Sequence, residues 1–199
     1  MVYASDTTTN VVIVRGRIVR ERTSGSRELF TVCSHMNKRD TFIHFECEKG
    51  MIPKHHPHAL MCIEGHISSK RVKRNDRIVT QQYFVADKVE LEKTMTEKYF
   101  GVKGKFFENH CADVFLNGIV VSSYEEDGWC RYTVNVGKDN KRDITVKLNA
   151  KKQERQQEIN VGDRVCACCK VISSQKELGE KVINMESVMV DDLAVVKTA

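Results

Sequence analysis

The sequence predicts an all-β chain, two tandem five-stranded Greek-key barrels with little helix. Three observations carry that prediction. The phrase NKRDTFIHF, Asn37 to Phe45, returns as NKRDITVKL, Asn140 to Leu148. Short runs rich in β-branched and aromatic residues alternate with turn residues, which is how strands and hairpins read. Helical text is confined to one stretch, KKQERQQEI, from Lys151 to Ile159.

The repeat is ordered along the chain. Gly16 in IVRGRIV matches Gly118 in FLNGIVV, 102 residues on; Asn37 matches Asn140, 103 on; HISSK, centred on Ile67, matches VISSQ, centred on Ile172, 105 on. Within the first unit, NVVIVRGRIVRE is a strand interrupted by a glycine, which in a strand marks a bulge or sharp bend. A turn at Gly25 leads to ELFTVCS, the NKRD turn leads to TFIHFEC, and ALMCIEGHISSK and IVTQQYFVADKVELE flank a charged turn. The second unit repeats the plan with DVFLNGIVVSS, WCRYTVNV, DITVKLNA, DRVCACCKVISS and KVINMESVMVDD. Five bent antiparallel strands in under a hundred residues suit the OB-fold. The helical stretch falls between strands three and four of unit two, where that fold often carries a helix. In unit one the slot holds KGMIPKHHPHA, which its prolines make a loop. The expected boundaries are residues 1–93 for the first barrel, 94–113 for an aromatic linker and 114–199 for the second barrel.

Composition sets the class. Of 199 residues, 41% are hydrophobic and 30% charged, as in ordinary folded proteins. No apolar run approaches the roughly 18 residues of a membrane span, and the opening MVYASDTTTN lacks a signal-peptide layout. A cytoplasmic protein is expected. The eight cysteines sit mostly in apolar strand text, where they behave as small hydrophobes. Cys166 and Cys169 have C-x-x-C spacing, but no second pair or helix start accompanies them, so strand cysteines are the favoured reading over zinc or redox chemistry. Residues 1–93 hold 16 Lys/Arg against 11 Asp/Glu, whereas residues 114–199 hold 13 of each. A positive excess confined to one unit suggests an anionic partner.

The strand text RDTFIHFECE, HALMCIEGHISSKR and QQYFVADKVELE resembles the single-stranded DNA-binding protein family. Thr41 to Cys47, Met61 to Ile67 and Val85 to Leu91 match, in order, the family's third strand, its V-x-I-E-G-x-I/L strand and its V-A-D-x-V-x-x-L strand. The resemblance spans nearly all of residues 10–93, and unit two inherits it through the repeat. It implies OB-folds that bind single-stranded DNA without strong sequence preference, and chains with two such folds that dimerise. The sequence ends DDLAVVKTA, without the long linker and acidic tail that recruit replication and repair enzymes in the bacterial housekeeping members. The expectation that follows is a dedicated protein of a phage, plasmid or other mobile element.

Binding a single strand calls for cations that meet phosphates and flat side chains that meet bases. Alternation in TFIHFE turns Ile43 and Phe45 inward and Phe42 and His44 outward. In unit two Val146 and Leu148 take the inner places, leaving Thr145 and Lys147 outside. Phe42 stands open to two readings, a stacking platform or a ring buried under a neighbouring loop. Trp129 and Tyr132 are the stacking candidates of unit two, which is expected to be the lesser binder. Lys70, Arg71, Lys73, Arg74 and Arg77 on the turn between strands four and five, with Arg20, Arg22 and Arg27 on the first hairpin, are the phosphate candidates. The matching tip of unit two, QKELGEK, is charge-balanced.

The remaining features point away from chemistry. His55, His56 and His58 lie close together but show no carboxylate partner in the sequence around them, which favours a polar loop over a metal site. No nucleophile elbow, phosphate-cradling loop or framed carboxylate pair occurs, so neither an enzyme nor a cofactor is expected. Tyr99, Phe100, Phe106 and Phe107, with Lys103 and Lys105, make the linker aromatic and basic; packing between barrels or in a dimer fits them better than a nucleic-acid path. The expected function is sequence-independent coating of single-stranded DNA in replication, recombination or DNA transfer. The expected partners are that DNA, a second copy in a homodimer, and replication or recombination proteins. The rival readings are a protein-docking scaffold in a replication or conjugation complex and an RNA-binding protein.

Overall fold

The computed structural model describes residues 8–36, 39–57, 59–74, 76–94, 110–139, 142–152, 158–178 and 181–196. All regular structure among them is β. Five strands, β1 (Thr9–Ser24), β2 (Arg27–Met36), β3 (Arg39–Glu48), β4 (Ala59–Arg74) and β5 (Arg77–Thr94), form barrel one. Barrel two comprises β6 (Cys111–Glu126), β7 (Trp129–Asp139), β8 (Arg142–Lys151), β9 (Arg164–Leu178) and β10 (Lys181–Val195). The strand order β2-β3-β5-β4-β1 closes through β1–β2, and β6-β7-β8-β10-β9 closes through β6–β9. In each barrel the closing turn brings one parallel pair together, Phe45 with Phe84 and Leu148 with Val188. Most of the stretch 151–159 and the whole aromatic segment from Tyr99 to Phe107 lie outside the described residues, as does His58.

The hydrogen-bond registers fix the repeat more closely than the letters do. Val12 faces Gly65 where Val114 faces Cys169, so β4 and β9 correspond at 104 residues, not the 105 suggested by HISSK and VISSQ. Ser69 is therefore the counterpart of Ser173, and Gln82 of Glu186. Val12 also pairs directly with Val114 in an antiparallel ladder running from Thr9–Asn117 to Arg15–Cys111. These two valines are equivalent positions, so their pairing marks the pseudo-two-fold axis that relates the barrels.

Bulges bend the first strand of each barrel. The register slips between Ile18 and Arg20, and again between Val120 and Ser122, leaving Val19 and Val121 pointing outward. The bend thus falls three residues beyond Gly16 and Gly118, at valines. The glycines serve a different end: a Cβ on either would run into the carbonyl oxygen of Cys33 or Asn135 on the next strand. Their missing side chains let β1 and β6 close onto β2 and β7.

Alternation fills the barrels. Ile43, Phe45, Val146 and Leu148 are buried, as their strand positions require. In barrel one Phe30 and Phe45 stack with centroids 5.5 Å apart, and Phe84 meets Phe45 at 5.7 Å. The corresponding places in barrel two hold Tyr132, Leu148 and Val188, all buried. Cys166 is exposed and Cys169 buried, on opposite faces of β9, so the C-x-x-C spacing does not bring two thiols together. Burial pushes the Cys169 thiol up to about 12 and Cys111 up to about 11, leaving both protonated at neutral pH.

The barrels are clamped at their open strand edges. The first half of β3 pairs with β2 alone, and its free N–H groups turn to barrel two: Phe42 donates to Ser173 Oγ at 2.8 Å and His44 to Glu186 Oε1 at 2.7 Å. The reciprocal bonds run from Thr145 N–H to Ser69 Oγ at 3.2 Å and from Lys147 N–H to Gln82 Oε1 at 3.1 Å. Each long hairpin therefore caps the other barrel's exposed edge, which would otherwise offer unpaired donors. A further tie joins β2 to the start of β6, where the His35 N–H donates to His110 Nδ1 at 2.8 Å.

Burial, reinforced by Arg17 and His35, lowers the His110 pKa to about 4, so its imidazole is neutral in the fold. The unfolded chain takes up that proton near the ordinary value of about 6.5. This contribution to stability is complete above about pH 6.5 and is lost as pH falls towards 4. Thermal melts should show the wild type losing stability over that window more steeply than His110→Gln, whose amide oxygen retains an acceptor. Parallel curves would exclude His110 as the cause.

Candidate nucleic-acid interface

A cleft of about 310 Å³ opens on barrel one beside the β1 bend, with Arg20, Arg22, His44, Lys70 and Tyr83 around its mouth and Phe30, Phe45 and Phe84 at its floor. The bulge at Val19 turns the end of β1 so that both arginines face this side. The Lys70 ammonium lies 4.7 Å from the centre of the Tyr83 ring, holding a cation and an aromatic face together. Four residues predicted from sequence, Arg20, Arg22, His44 and Lys70, thus converge. Tyr83 was overlooked, although its alternation with the inward Phe84 already turns it outward.

The other candidates lie elsewhere. Arg27 is exposed where β2 begins, and Arg71, Lys73 and Arg77 are exposed on the β4–β5 hairpin, with Lys73 paired to Asp76 at 2.9 Å. Only the backbone of Arg74 is described, within β4. Phe42 is half-buried where its strand meets β9, so the other barrel covers part of the face predicted to stack. Tyr132 needs correction. It is 6% exposed and belongs to the core, on the same side of β7 as Cys130, Val134 and Val136, and burial drives its hydroxyl up to about 12. Trp129 is half-buried at the start of β7. His55 needs a smaller correction: its Nε2 reaches Glu21 Oε1 at 3.1 Å, a carboxylate brought in from β1. Among the described residues no group of three or more His, Cys, Asp or Glu could hold a metal.

Barrel two carries the pseudo-equivalent cleft, of about 670 Å³. Ser122 and Tyr124 stand where Arg20 and Arg22 stand in barrel one, and Lys147 takes the place of His44. Positive charge has moved to Arg131 on β7, whose guanidinium lies 5.8 Å from the Tyr124 ring centre and 2.8 Å from Glu126. Tyr124, 55% exposed, is the open ring that sequence reasoning sought at Tyr132. Thr80, Gln81 and Gln82 from the barrel-one hairpin complete the wall, together with Met185, Glu186 and Ser187.

The two clefts meet at one contact. His44 lines the first, Glu186 lines the second, and Nδ1 of His44 is 2.6 Å from Glu186 Oε1. The hydrogen bond to Glu186 raises the His44 pKa against the opposing effects of burial, Arg20 and Arg22.

Neither a protein-family model nor a curated protein sequence matches the chain. Solved structures do. The chain superposes on the wild-type single-stranded DNA binding protein from Thermus aquaticus with a TM-score of 0.63 and 12% identity, covering 97% of this chain and 95% of that one. A deletion variant of the same Thermus aquaticus protein gives 0.62 and 11%, covering 98% of each chain. Both barrels are OB-folds. At this identity the likeness is one of architecture, and it extends over both barrels. No helix among the described residues is long and apolar enough to cross a membrane.

Proposed function

We propose that this chain binds single-stranded DNA without strong sequence preference, using the barrel-one cleft as its principal site. The observation that carries the reading is the convergence of Arg20, Arg22 and Lys70 with the Tyr83 ring on one open face. Cations beside a flat ring suit a flexible polyanion that presents bases, whereas a duplex hides its base faces. The whole-length likeness to a protein that binds single-stranded DNA supports the same reading. Protection of exposed strands in replication, recombination or DNA transfer is the role this activity would serve. The reading includes no catalytic step.

The second reading, a protein-docking scaffold, is favoured by the half-buried Phe42, whose strand edge is engaged by the other barrel. Fluorescence anisotropy with labelled oligo-dT, with duplex and RNA competitors, at low and moderate salt, separates the two. Micromolar or tighter binding that prefers the single DNA strand and weakens with salt supports coating. Tyr83→Ala should then weaken binding by about 1–3 kcal/mol, the usual worth of a stacked base. No binding at low salt removes the coating function and leaves the scaffold, and preference for the RNA competitor moves the assignment to RNA.

A further inference from the structure

We propose that the His44–Glu186 contact couples strand binding to proton uptake, so that affinity for single-stranded DNA falls as pH rises. This rests on the reading of the clefts given above. The inference starts from a mismatch. Glu186 places a carboxylate, its side chain only 20% exposed, where two cation-lined clefts meet. An anionic strand passing from one barrel to the other must cross that charge.

The pseudo-two-fold supplies an internal comparison. Gln82 occupies the corresponding place and accepts the Lys147 N–H with a neutral amide oxygen. Accepting the backbone donor therefore does not require a carboxylate. Glu186 differs in also bonding the His44 ring, which carries a balancing charge when protonated. Facing His44 are Arg20 and Arg22 from β1, Glu46 from β3, Lys70 from β4 and Tyr83 from β5. Facing Glu186 across the second cleft are Tyr124, Arg131 and Lys147. Among these neighbours His44 has the side chain whose ordinary pKa lies nearest neutrality, and its hydrogen bond to Glu186 raises it.

The sign follows from linkage. A phosphate drawn into the junction favours protonated His44, so the complex holds more protons than the free protein, and raising the pH opposes binding. A tenfold fall corresponds to a shift of one pKa unit on binding.

The test is oligo-dT binding from pH 6 to pH 8.5 at constant ionic strength, for the wild type and His44→Gln, which removes the titrating ring. Wild-type affinity should fall about fivefold to tenfold, while His44→Gln stays nearly flat. Calorimetric titration of the wild type in two buffers of different ionisation enthalpy should show net proton uptake, a measurement that does not depend on the variant folding. Equal pH slopes in both proteins, or no proton uptake by the wild type, would overturn the coupling while leaving strand binding intact. An absence of oligo-dT binding at every pH would overturn the coupling together with the reading beneath it. The His35–Asp40 and His66–Asp87 contacts are present in both proteins, so whatever they contribute cancels in the comparison.

Discussion

Replacing Arg20, Arg22 and Lys70 together by glutamine is expected to weaken oligo-dT binding about 100-fold, roughly 1 kcal/mol for each cation. None of the three is held in a described ion pair, so each is available to a phosphate. The salt dependence gives a sharper signature. Each phosphate neutralised on a single strand contributes about 0.7 to the slope of log affinity against log salt, so the triple variant should lose about two units. Exposed side chains of this kind move stability by only about 0.5 kcal/mol, and the melting temperature should hardly change. Replacing Arg71, Lys73 and Arg77 instead should cost only about fivefold, because the hairpin tip stands apart from the cleft and the Asp76 carboxylate beside Lys73 offsets part of its charge. Equal losses from the two variants would disperse the site over the whole basic surface. No loss from the first would remove the cleft from the binding face.

How far the sequence could be read follows from which forces are local. The repeat was legible because strand alternation and turn chemistry act over a few residues: Ile43, Phe45, Val146 and Leu148 declare their faces within their own strands. Tyr132 was legible on the same ground, since it shares a face with the buried Val134 and Val136, and so was Tyr83, which alternates with the buried Phe84. Giving weight to aromatic identity over face selected a buried ring in barrel two and passed over Tyr83, which lines the cleft of barrel one. The fate of Phe42 was not legible. It depends on Ser173, 131 residues away, arriving from the other barrel. The partner of His44 is more distant still, at 142 residues. The outward direction of His44 could be predicted, but not the carboxylate that meets it.

Gly16→Ala and Gly118→Ala should each cost about 3 kcal/mol or more, beyond most single substitutions. Neither glycine has a positive φ, so backbone freedom is not the reason. The obstacle is space. At Gly16 the new methyl would strike the Cys33 carbonyl oxygen and lie 2.8 Å from Val32 Cγ1; at Gly118 it would strike the Asn135 carbonyl oxygen and lie 2.7 Å from Val134 Cγ1. Backbone cannot swing aside as a flexible side chain would, so the whole strand must shift. In both cases that strand also carries the β1–β6 ladder, so damage to one barrel is transmitted to the other. A chain of this size loses roughly 2–4 °C of melting temperature per kcal/mol, so a fall of about 6–12 °C is expected from either change, in one transition. Gly25→Ala is the control. Nothing lies within 4 Å of its new methyl, and its φ of +62° costs only about 1 kcal/mol. Calorimetry that resolved two transitions, with Gly16→Ala moving one and Gly118→Ala the other, would mean that the ladder and the four edge-capping bonds do not bind the barrels into a single folding unit.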